Sequence, residues 1–324
     1  MALESPTYSR RGSITSQPAD RVLTRAEQDP PPGGDRVWRT TLSILARLPQ
    51  PALSRAFGRL ADVPIPRALR RSLLGAFART VGIDMTEVTG RLEDFPTLDA
   101  FFVRTLRPHA RTWPENPGVA GSPVDGVIGR SGRVERSAAL QAKGRRYSIA
   151  ALLGDAGDAE RFEGGAFLTI YLSPRHYHRI HAPTGDAVVS ARHVPGSLLP
   201  VNGAAVRHVP DLFPRNERLI AFLEGPVGRL AVVAIGAYNV GRISAAFDPD
   251  WGGAAVRGAV TNRPRTSSQT TRVYSPPIPT ERGAQLMAFH LGSTVVVLFE
   301  PGVVLEPLST GAEIRLGTPV TRVA

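Results

Sequence analysis

The sequence Thr294-Val-Val-Val-Leu-Phe299 is a continuous run of apolar, mostly β-branched residues that begins directly after a Gly-Ser pair. Such side chains favour strands, and a run without polar alternation is typical of a strand buried on both faces. Two further runs have the same character, Ala166-Phe-Leu-Thr-Ile-Tyr-Leu172 and Arg229-Leu-Ala-Val-Val-Ala-Ile235. The chain end, residues 312–323, predicts two more short strands around a Gly turn. The second part of the chain therefore predicts a β-rich core, either sandwich-like or closed into a barrel.

The first part of the chain has a different pattern. Residues 1–35 are polar and rich in proline, which predicts a disordered tail. Over residues 36–92 we expect an amphipathic helical region, because apolar residues recur three and four positions apart and prolines divide the stretch into short helices. The recurring apolar residues are Trp38, Leu42, Leu45, Leu48, Leu53, Phe57, Leu60, Leu69, Leu73 and Phe77. The predicted fold class is thus α+β, with the β-rich domain over residues 93–324.

The helical region is strongly basic. Residues 36–79 contain nine arginines and a single acid, Asp62. The helices could pack as a cap on the main domain with their arginines solvated, or lie on a membrane surface with their arginines facing anionic lipid. The residues alone leave both interpretations open.

The composition narrows the class of protein. The net charge of +11 comes almost entirely from arginine, with Lys143 as the only lysine, and a GC-rich genome suffices to explain that choice of basic residue. Excess positive charge favours anionic lipid or nucleic acid, and without a nucleic-acid motif we expect lipid and no nucleic acid. The absence of cysteine excludes disulfides, thiolate zinc sites and cysteine nucleophiles. No run approaches the roughly 20 apolar residues of a membrane-spanning helix.

Three short motifs carry residues capable of chemistry. Ser122-Pro-Val-Asp-Gly126 places Asp125 in a turn, where an aspartate often bonds only its own backbone. Tyr171-Leu-Ser-Pro-Arg-His-Tyr-His-Arg-Ile-His181 holds three histidines, at 176, 178 and 181, which suit a general base or a metal, although no HExxH motif or carboxylate pair supports a metal. Gly292-Ser293 precedes a strand, where a turn is the ordinary interpretation and the nucleophile elbow of α/β-hydrolases is disfavoured.

Together, Asp125, His181 and Ser293 supply an orienting carboxylate, a base and a hydroxyl nucleophile. Such a set ordinarily indicates hydrolysis. The serine here follows a glycine, however, whose bare backbone leaves its carbonyl open to attack by the next side chain. The order of residues is therefore compatible with a serine that attacks its own preceding peptide bond.

Leu291-Gly-Ser-Thr294 resembles the self-cleavage motif of the phosphatidylserine decarboxylase proenzyme family. Further blocks resemble that family in the same order from residue 95 to the chain end. They are Phe95-Pro-Thr-Leu-Asp-Ala-Phe-Phe-Val-Arg-Thr-Leu106, the Asp125 turn, the histidine segment, Pro195-Gly-Ser-Leu-Leu-Pro-Val-Asn202, Leu212-Phe-Pro-Arg-Asn-Glu-Arg218 and Ile235-Gly-Ala-Tyr-Asn-Val-Gly-Arg-Ile243.

The resemblance implies an enzyme that makes its own cofactor. Ser293, with His181 as base and Asp125 as its orienting partner, would cleave the chain after Gly292 into residues 1–292 and 293–324 and become a pyruvoyl group. The resemblance further implies a Schiff base between that group and phosphatidylserine, protonation by His178, and release of phosphatidylethanolamine and carbon dioxide. No metal is implied.

The partners implied are phosphatidylserine, an anionic membrane surface and the chain's own cleaved fragment, in a heterodimer whose further dimerisation stays open. The implied location is peripheral, at the cytoplasmic face of the cell membrane. With the family in view, the membrane-surface interpretation of the helical region is favoured.

The chain departs from the family pattern at three positions near these motifs. His176 stands where the family commonly has aspartate, and Gln285 and Met287 stand where relatives usually have Glu and Gly. None of these changes removes a residue named above.

Other functions remain compatible with the residues. The substrate could be a soluble amino acid such as tryptophan or an archaeal-type serine lipid, or the chain could be an unprocessed lipid-binding relative. A serine hydrolase, or a pyridoxal enzyme relying on Lys143, is disfavoured.

Overall fold

The computed structural model describes residues 50–142, 145–201, 203–237, 242–249, 251, 268–290 and 292–323. The expected tail over residues 1–35, the first part of the expected helical region and Lys143 lie outside these ranges.

The described residues form fifteen strands, with three α-helices and a 3-10 turn before the first strand and four short helices between later strands. The helices are α1 (Gln50–Ala61), α2 (Arg67–Val81), a 3-10 turn (Leu92–Asp94), α3 (Leu98–Phe102), α4 (Ile149–Leu153), α5 (Ala156–Glu160), α6 (Gly203–His208) and α7 (Leu212–Arg215). The strands are β1 (Gly126–Arg133), β2 (Ala138–Ala142), β3 (Arg145–Ser148), β4 (Ala166–Tyr171), β5 (Arg179–His181), β6 (Asp186–Val194), β7 (Arg218–Gly225), β8 (Gly228–Ile235), β9 (Ile243–Ala245), β10 (Thr270–Thr280), β11 (Gln285–Phe289), β12 (Thr294–Phe299), β13 (Val304–Leu305), β14 (Glu313–Ile314) and β15 (Thr321–Arg322).

The main sheet has eight antiparallel strands in the order β10-β6-β7-β8-β12-β4-β1-β14. The predicted α+β class is confirmed, and the three predicted strand runs form β4, β8 and β12. The sheet has two edges, β10 and β14, so it does not close, and the barrel form of the expectation is wrong. The two short strands predicted at the chain end are β14 and β15, with Gly317 between them at φ 83. Strand β14 pairs with β1, and β15 pairs with β13, so the two do not pair with each other.

Strand β12 lies inside the main sheet, between β8 and β4. All six of its side chains are buried. Apolar side chains cover both faces of the sheet at this point, which explains why Thr294–Phe299 lacks the polar alternation of a half-exposed strand.

A second, three-stranded sheet in the order β5-β11-β9 carries the residues around the Gly-Ser pair. Its strand β5 ends the histidine segment, and β11 leads into the Gly-Ser pair. The chain between Phe289 and Thr294 therefore crosses from the small sheet to the centre of the main one. Gly292 and Ser293 lie in this crossing.

The helices at the N-terminal side have a small core of their own. Leu74 and Ala78 of α2 pack with Ile83, Val88 and Phe101. Helix α2 ends at Gly82, whose φ of 81 is left-handed and suits glycine. Within the described residues, no helix combines the length and the apolar character needed to cross a bilayer.

Candidate active site

Ser293 is completely buried at the start of β12. Its backbone oxygen accepts a hydrogen bond of 2.7 Å from the Leu172 amide, and its side-chain hydroxyl donates to the Ile235 carbonyl. Both partners lie at the ends of the strands that flank β12. The sheet therefore holds the serine on either side and fixes the position of its hydroxyl.

Gly292 lies in a space too small for any other residue. A Cβ at this position would stand 2.9 Å from the Leu172 carbonyl oxygen and 3.2 Å from Cε1 of His178. The first distance is to backbone, which has little freedom to move. The glycine thus lets the backbone before Ser293 pass close to the imidazole of His178.

His178 is completely buried, and its ring stacks on Phe102 with 4.3 Å between centroids and 22° between planes. Among the described residues, neither ring nitrogen has a hydrogen-bond partner. Burial lowers the pKa of His178 well below its ordinary value, the charges of Arg104 and His176 lower it further, and the nearby backbone opposes only part of that shift. The ring is therefore neutral near pH 7.

His181 is held by two hydrogen bonds. Its Nδ1 donates to the Gly283 carbonyl at 2.7 Å, so Nε2 is left to accept from the Tyr177 hydroxyl at 3.0 Å. Burial raises the pKa of Tyr177 to about 12, so that hydroxyl keeps its proton. The pKa of His181 is lowered, first by burial, against the opposing hydrogen bond to Gly283. His181 is thus a neutral imidazole with a fixed tautomer.

Asp125 forms an ion pair with Arg111 through two hydrogen bonds of 2.9 and 2.5 Å. One of its oxygens also accepts from the Leu316 amide at 2.7 Å. Its negative charge opposes the lowering of the His181 pKa, but no hydrogen bond joins the two side chains. Arg111 in turn donates to Glu87 at 2.7 Å.

The structure brings Gly292, Ser293 and His178 together. It gives His181 and Asp125 other hydrogen-bond partners, so a Ser-His-Asp hydrogen-bond chain is not formed in this arrangement. The catalytic roles inferred for His178, His181 and Asp125 stay predictions.

A cleft of about 150 Å³ borders Asp125 and Tyr177. Arg104 lines it and is buried, with Nη2 donating to the carbonyls of Arg175 and His176 at 3.0 and 2.9 Å. Its Nε has no partner among the described residues. Burial lowers the pKa of Arg104 to about 10, which still leaves it charged near neutral pH.

Sequence reasoning assigned no role to Phe102, Arg104, Arg111 or Tyr177. Phe102 and Arg104 belong to the block before the β-rich core that resembles the family, and Tyr177 stands between two of the histidines. For these three residues, their place in the blocks was the available signal. Phe102 and Arg104 contact residues more than seventy positions away, which no local pattern reveals. Arg111 lies outside the blocks, and its pairing with Asp125 is not encoded by a local pattern either.

The residues that depart from the family pattern are all bonded or buried. His176 accepts from the Ser173 amide at Nδ1, at 2.9 Å, and its Nε2 lies 3.1 Å from Glu313. Gln285 accepts from Arg179 at 2.6 Å. Met287 is completely buried. Across the described residues, His, Asp and Glu side chains form no group of three or more with the arrangement of a metal site.

Comparison with known proteins gives the class of the protein. Residues 98–322 match the family model described as phosphatidylserine decarboxylase. A phosphatidylserine decarboxylase proenzyme from Anaeromyxobacter sp. (strain K) is 46% identical over 284 residues, which cover 87% of this chain and 98% of that protein. The proenzyme of the same name from Myxococcus xanthus is 39% identical, covering 86% of this chain and 96% of the relative.

Another proenzyme of that name, from Azotobacter vinelandii, is 39% identical over 84% of this chain and 94% of its own length. The class is therefore that of decarboxylases made as proenzymes, which are carboxy-lyases. The chain belongs to the phosphatidylserine decarboxylase proenzyme family.

Proposed function

We propose that the chain cleaves itself between Gly292 and Ser293, converts Ser293 into a pyruvoyl group, and decarboxylates phosphatidylserine to phosphatidylethanolamine and carbon dioxide. The observation that carries the proposal is the crowded Gly292-Ser293 junction, where a fully buried Ser293 follows a glycine that lies against a neutral His178. The family membership supports the substrate.

The atoms and electrons of the self-cleavage reaction balance without an oxidant or a reductant. The Ser293 oxygen attacks the Gly292 carbonyl carbon, and the peptide bond becomes an ester with a free amine. Loss of the α-proton then expels the Gly292 carboxylate and leaves a dehydroalanine, which takes up one water and releases ammonia. For attack to begin, the Ser293 hydroxyl must leave the Ile235 carbonyl and give its proton to a base.

The surroundings of Ser293 fit a pyruvoyl group. The group is small and begins β12, so no additional cavity is needed, and the bonds from Leu172 and the flanking strands keep it in place. His178 contributes two buried ring nitrogens, which have no hydrogen-bond partner in the part of the chain that the structure describes. Once formed, the group supplies the carbonyl that receives the substrate amine and accepts the electron pair released with carbon dioxide.

Each histidine has a proposed task. His181 is the base for self-cleavage, with Asp125 acting through its charge and its position. His178 returns a proton to the substrate carbon after carbon dioxide leaves. Burial strongly disfavours its charged form, so a protonated His178 gives up its proton readily.

We further propose that α1 and α2 dock the enzyme on the cytoplasmic face of the cell membrane. Large apolar side chains of these helices and of the segment between them project into solvent: Leu60, Val63, Leu69 and Leu73 are 67%, 53%, 50% and 53% exposed. Four arginines of the two helices are exposed as well, Arg59, Arg67, Arg71 and Arg79. Apolar residues flanked by arginines suit the headgroup boundary of an anionic bilayer.

Intact-mass spectrometry tests self-cleavage. We expect two chains from the wild type, ending at Gly292 and beginning at residue 293 with a blocked N-terminus, and one chain of 34.7 kDa from Ser293→Ala. The control Ser309→Ala removes an exposed serine of the small fragment and should cleave normally. A wild type that stays whole after prolonged incubation would support an unprocessed lipid-binding protein instead.

The substrate class is tested by measuring carbon dioxide release by the mature protein. We expect release from vesicles containing phosphatidylserine, and none from free tryptophan or free serine. Release from a soluble amino acid alone would overturn the lipid assignment while leaving the cleavage intact.

Docking is tested by sedimentation with vesicles rich in anionic lipid. Replacing Leu69 and Leu73 together by aspartate should lower the bound fraction at least about tenfold, because both apolar contact and charge attraction are lost. The matched control is Val273→Asp, an exposed valine on the edge strand β10. Equal binding of both variants would contradict the proposed docking surface.

A further inference from the structure

His290 lies two residues before Gly292 and is held at three points. Its Nδ1 donates to the Asp99 carboxylate, at 2.9 and 3.0 Å from the two oxygens. Its Nε2 lies 3.0 Å from the Ser244 hydroxyl, and its backbone amide donates to the Arg242 carbonyl at 3.0 Å. Because only one residue separates it from Gly292, these bonds restrain where the chain enters the junction.

The contacts continue from His290 to the helical region. Arg242 donates to Asp99 at 2.9 Å and, through two bonds of 2.8 Å, to both oxygens of Asp62. Asp62 is the residue after α1, and Asp99 belongs to α3. Burial alone would raise the pKa of Asp99, but the hydrogen bonds and charges of His290 and Arg242 lower it, so its carboxylate is ionised. Asp62, Arg242, Asp99 and His290, the Asp62–His290 network, thus connect the end of α1 to the scissile loop.

We propose that the Asp62–His290 network positions the Gly292 carbonyl for attack, so that the seating of α1 sets the rate of self-cleavage. The proposal rests on the self-cleavage proposed above. An attack within one chain is fast only when the reacting atoms are held about 3 Å apart in the right direction. On the downstream side, the pairing of β12 holds Ser293. On the upstream side, His290 supplies the corresponding restraint, and no residue of the network touches the reacting atoms.

The network has the features of a positioning device more than of a stability element. The side chains of Asp62 and Arg242 are 40% and 27% exposed, and ion pairs so open to water contribute little to folding. His290, by contrast, is bonded through both ring nitrogens and its amide directly ahead of the junction. Loss of the network should therefore slow maturation far more than it weakens the fold.

The test follows maturation of newly made full-length chain in cell-free translation, by intact mass against time. We expect His290→Ala to slow cleavage about tenfold or more, because the loop loses its restraint. His290→Asn, whose amide reaches Asp99 as Nδ1 does, should stay within about threefold of wild type. Asp62→Asn should slow cleavage about threefold, and the double variant Asp62→Asn/His290→Ala no more than His290→Ala alone. The matched control is Glu224→Gln. It changes a similarly exposed carboxylate on β7 that pairs with Arg229, and it should cleave at the wild-type rate.

Two further measurements separate positioning from folding. In the Ser293→Ala background, Asp62→Asn should unfold within about 2 °C of the parent, because the ion pair that it breaks is open to water. Mature His290→Ala should decarboxylate at nearly the wild-type rate per small chain.

A His290→Ala cleavage rate within twofold of wild type overturns the network's role, as does a large fall in the unfolding temperature of uncleaved Asp62→Asn. A wild type that never cleaves would overturn the proposed function itself, whereas normal cleavage in both wild type and His290→Ala overturns the network alone.

Discussion

At the scale of single residues, the site is defined by two neutral histidines in different surroundings. His178 has no hydrogen-bond partner among the described residues and stacks on Phe102, whereas His181 has both ring nitrogens bonded. A ring with unbonded nitrogens is ready to exchange a proton with a substrate, and a ring with a fixed tautomer presents one defined lone pair. The surroundings thus suit the two rings to different proton transfers.

The lowered pKa values of both histidines predict how stability depends on pH. An unfolded histidine binds a proton near pH 6.5, and these two in the folded chain bind one only at lower pH. As the pH falls below about 6.5, the unfolded state binds more protons, so the free energy of unfolding decreases. Thermal unfolding of the Ser293→Ala precursor should therefore shift to lower temperature between about pH 7 and pH 5.5.

In the Ser293→Ala background, His178→Asn should make the pH-dependent shift in unfolding temperature smaller. The control His109→Asn changes an exposed histidine at φ 62, a conformation that asparagine tolerates. An unchanged pH dependence in His178→Asn would contradict the neutral, buried state of that ring.

The sequence predicts the strand that follows Gly292-Ser293, and it misses the contacts that surround this pair. Gly292-Ser293 before an apolar strand is a local pattern, and its place in the fold is as expected. The ion pair of Asp125 with Arg111, and the bonds of His290 to Asp99 and Ser244, join residues distant in the chain. Such contacts follow from how helices and sheets pack, which residue spacing does not encode.

At the scale of elements, Arg218 at the start of β7 connects two short helices, α4 and α7. It is buried and donates to four carbonyls, those of Ala151 and Leu152 in α4, that of Pro214 in α7 and that of Asn216, which follows α7. Burial lowers its pKa to about 9, so it remains charged near neutral pH. One guanidinium thus satisfies carbonyls of α4, of α7 and of a residue between α7 and β7.

Arg218→Met should lower the free energy of unfolding by about 2–4 kcal/mol, because a side chain of similar length leaves four carbonyls without a donor. Urea unfolding of the Ser293→Ala precursor measures the change. The control Arg91→Met replaces an arginine whose side chain is 78% exposed and should change stability by less than about 0.5 kcal/mol. A loss in Arg218→Met as small as the control's would show that water replaces the guanidinium.

The elements themselves were predictable to different degrees. β4, β8 and β12 are apolar runs whose identity as strands is local, and α2 has a clear three-and-four spacing. The order of strands in the sheet was not predictable, because β12 takes as neighbours β4 and β8, which lie far from it in sequence. Whether the sheet closed also depended on that order, and here the barrel alternative was wrong.

At the scale of the whole molecule, strands of the proposed small fragment pair with strands of the large fragment. Residues 293–324 provide β12 between β8 and β4, β14 against β1, and the β13-β15 pair. Along β12, each of the six residues is paired on both sides. Removing the fragment would break the main sheet near its middle and expose a fully apolar strand.

The cleaved protein should therefore stay one particle. In size-exclusion chromatography across a urea series, we expect the two chains to co-elute until the same urea concentration that unfolds the tertiary structure. The uncleaved Ser293→Ala precursor, run in parallel, marks that concentration. Release of the small chain well below it would contradict the central position of β12.

The central position of β12 has a consequence for the life of the enzyme. Because the proposed reactive carbonyl is the first group of a strand that cannot leave the sheet, it cannot be replaced from a cellular pool as a dissociable coenzyme can. Each polypeptide would form its reactive group once, and chemical damage to that group would permanently inactivate the whole polypeptide. The capacity of a cell for this reaction would then be renewed only by translation of new chains, and would decline with the age of the existing ones.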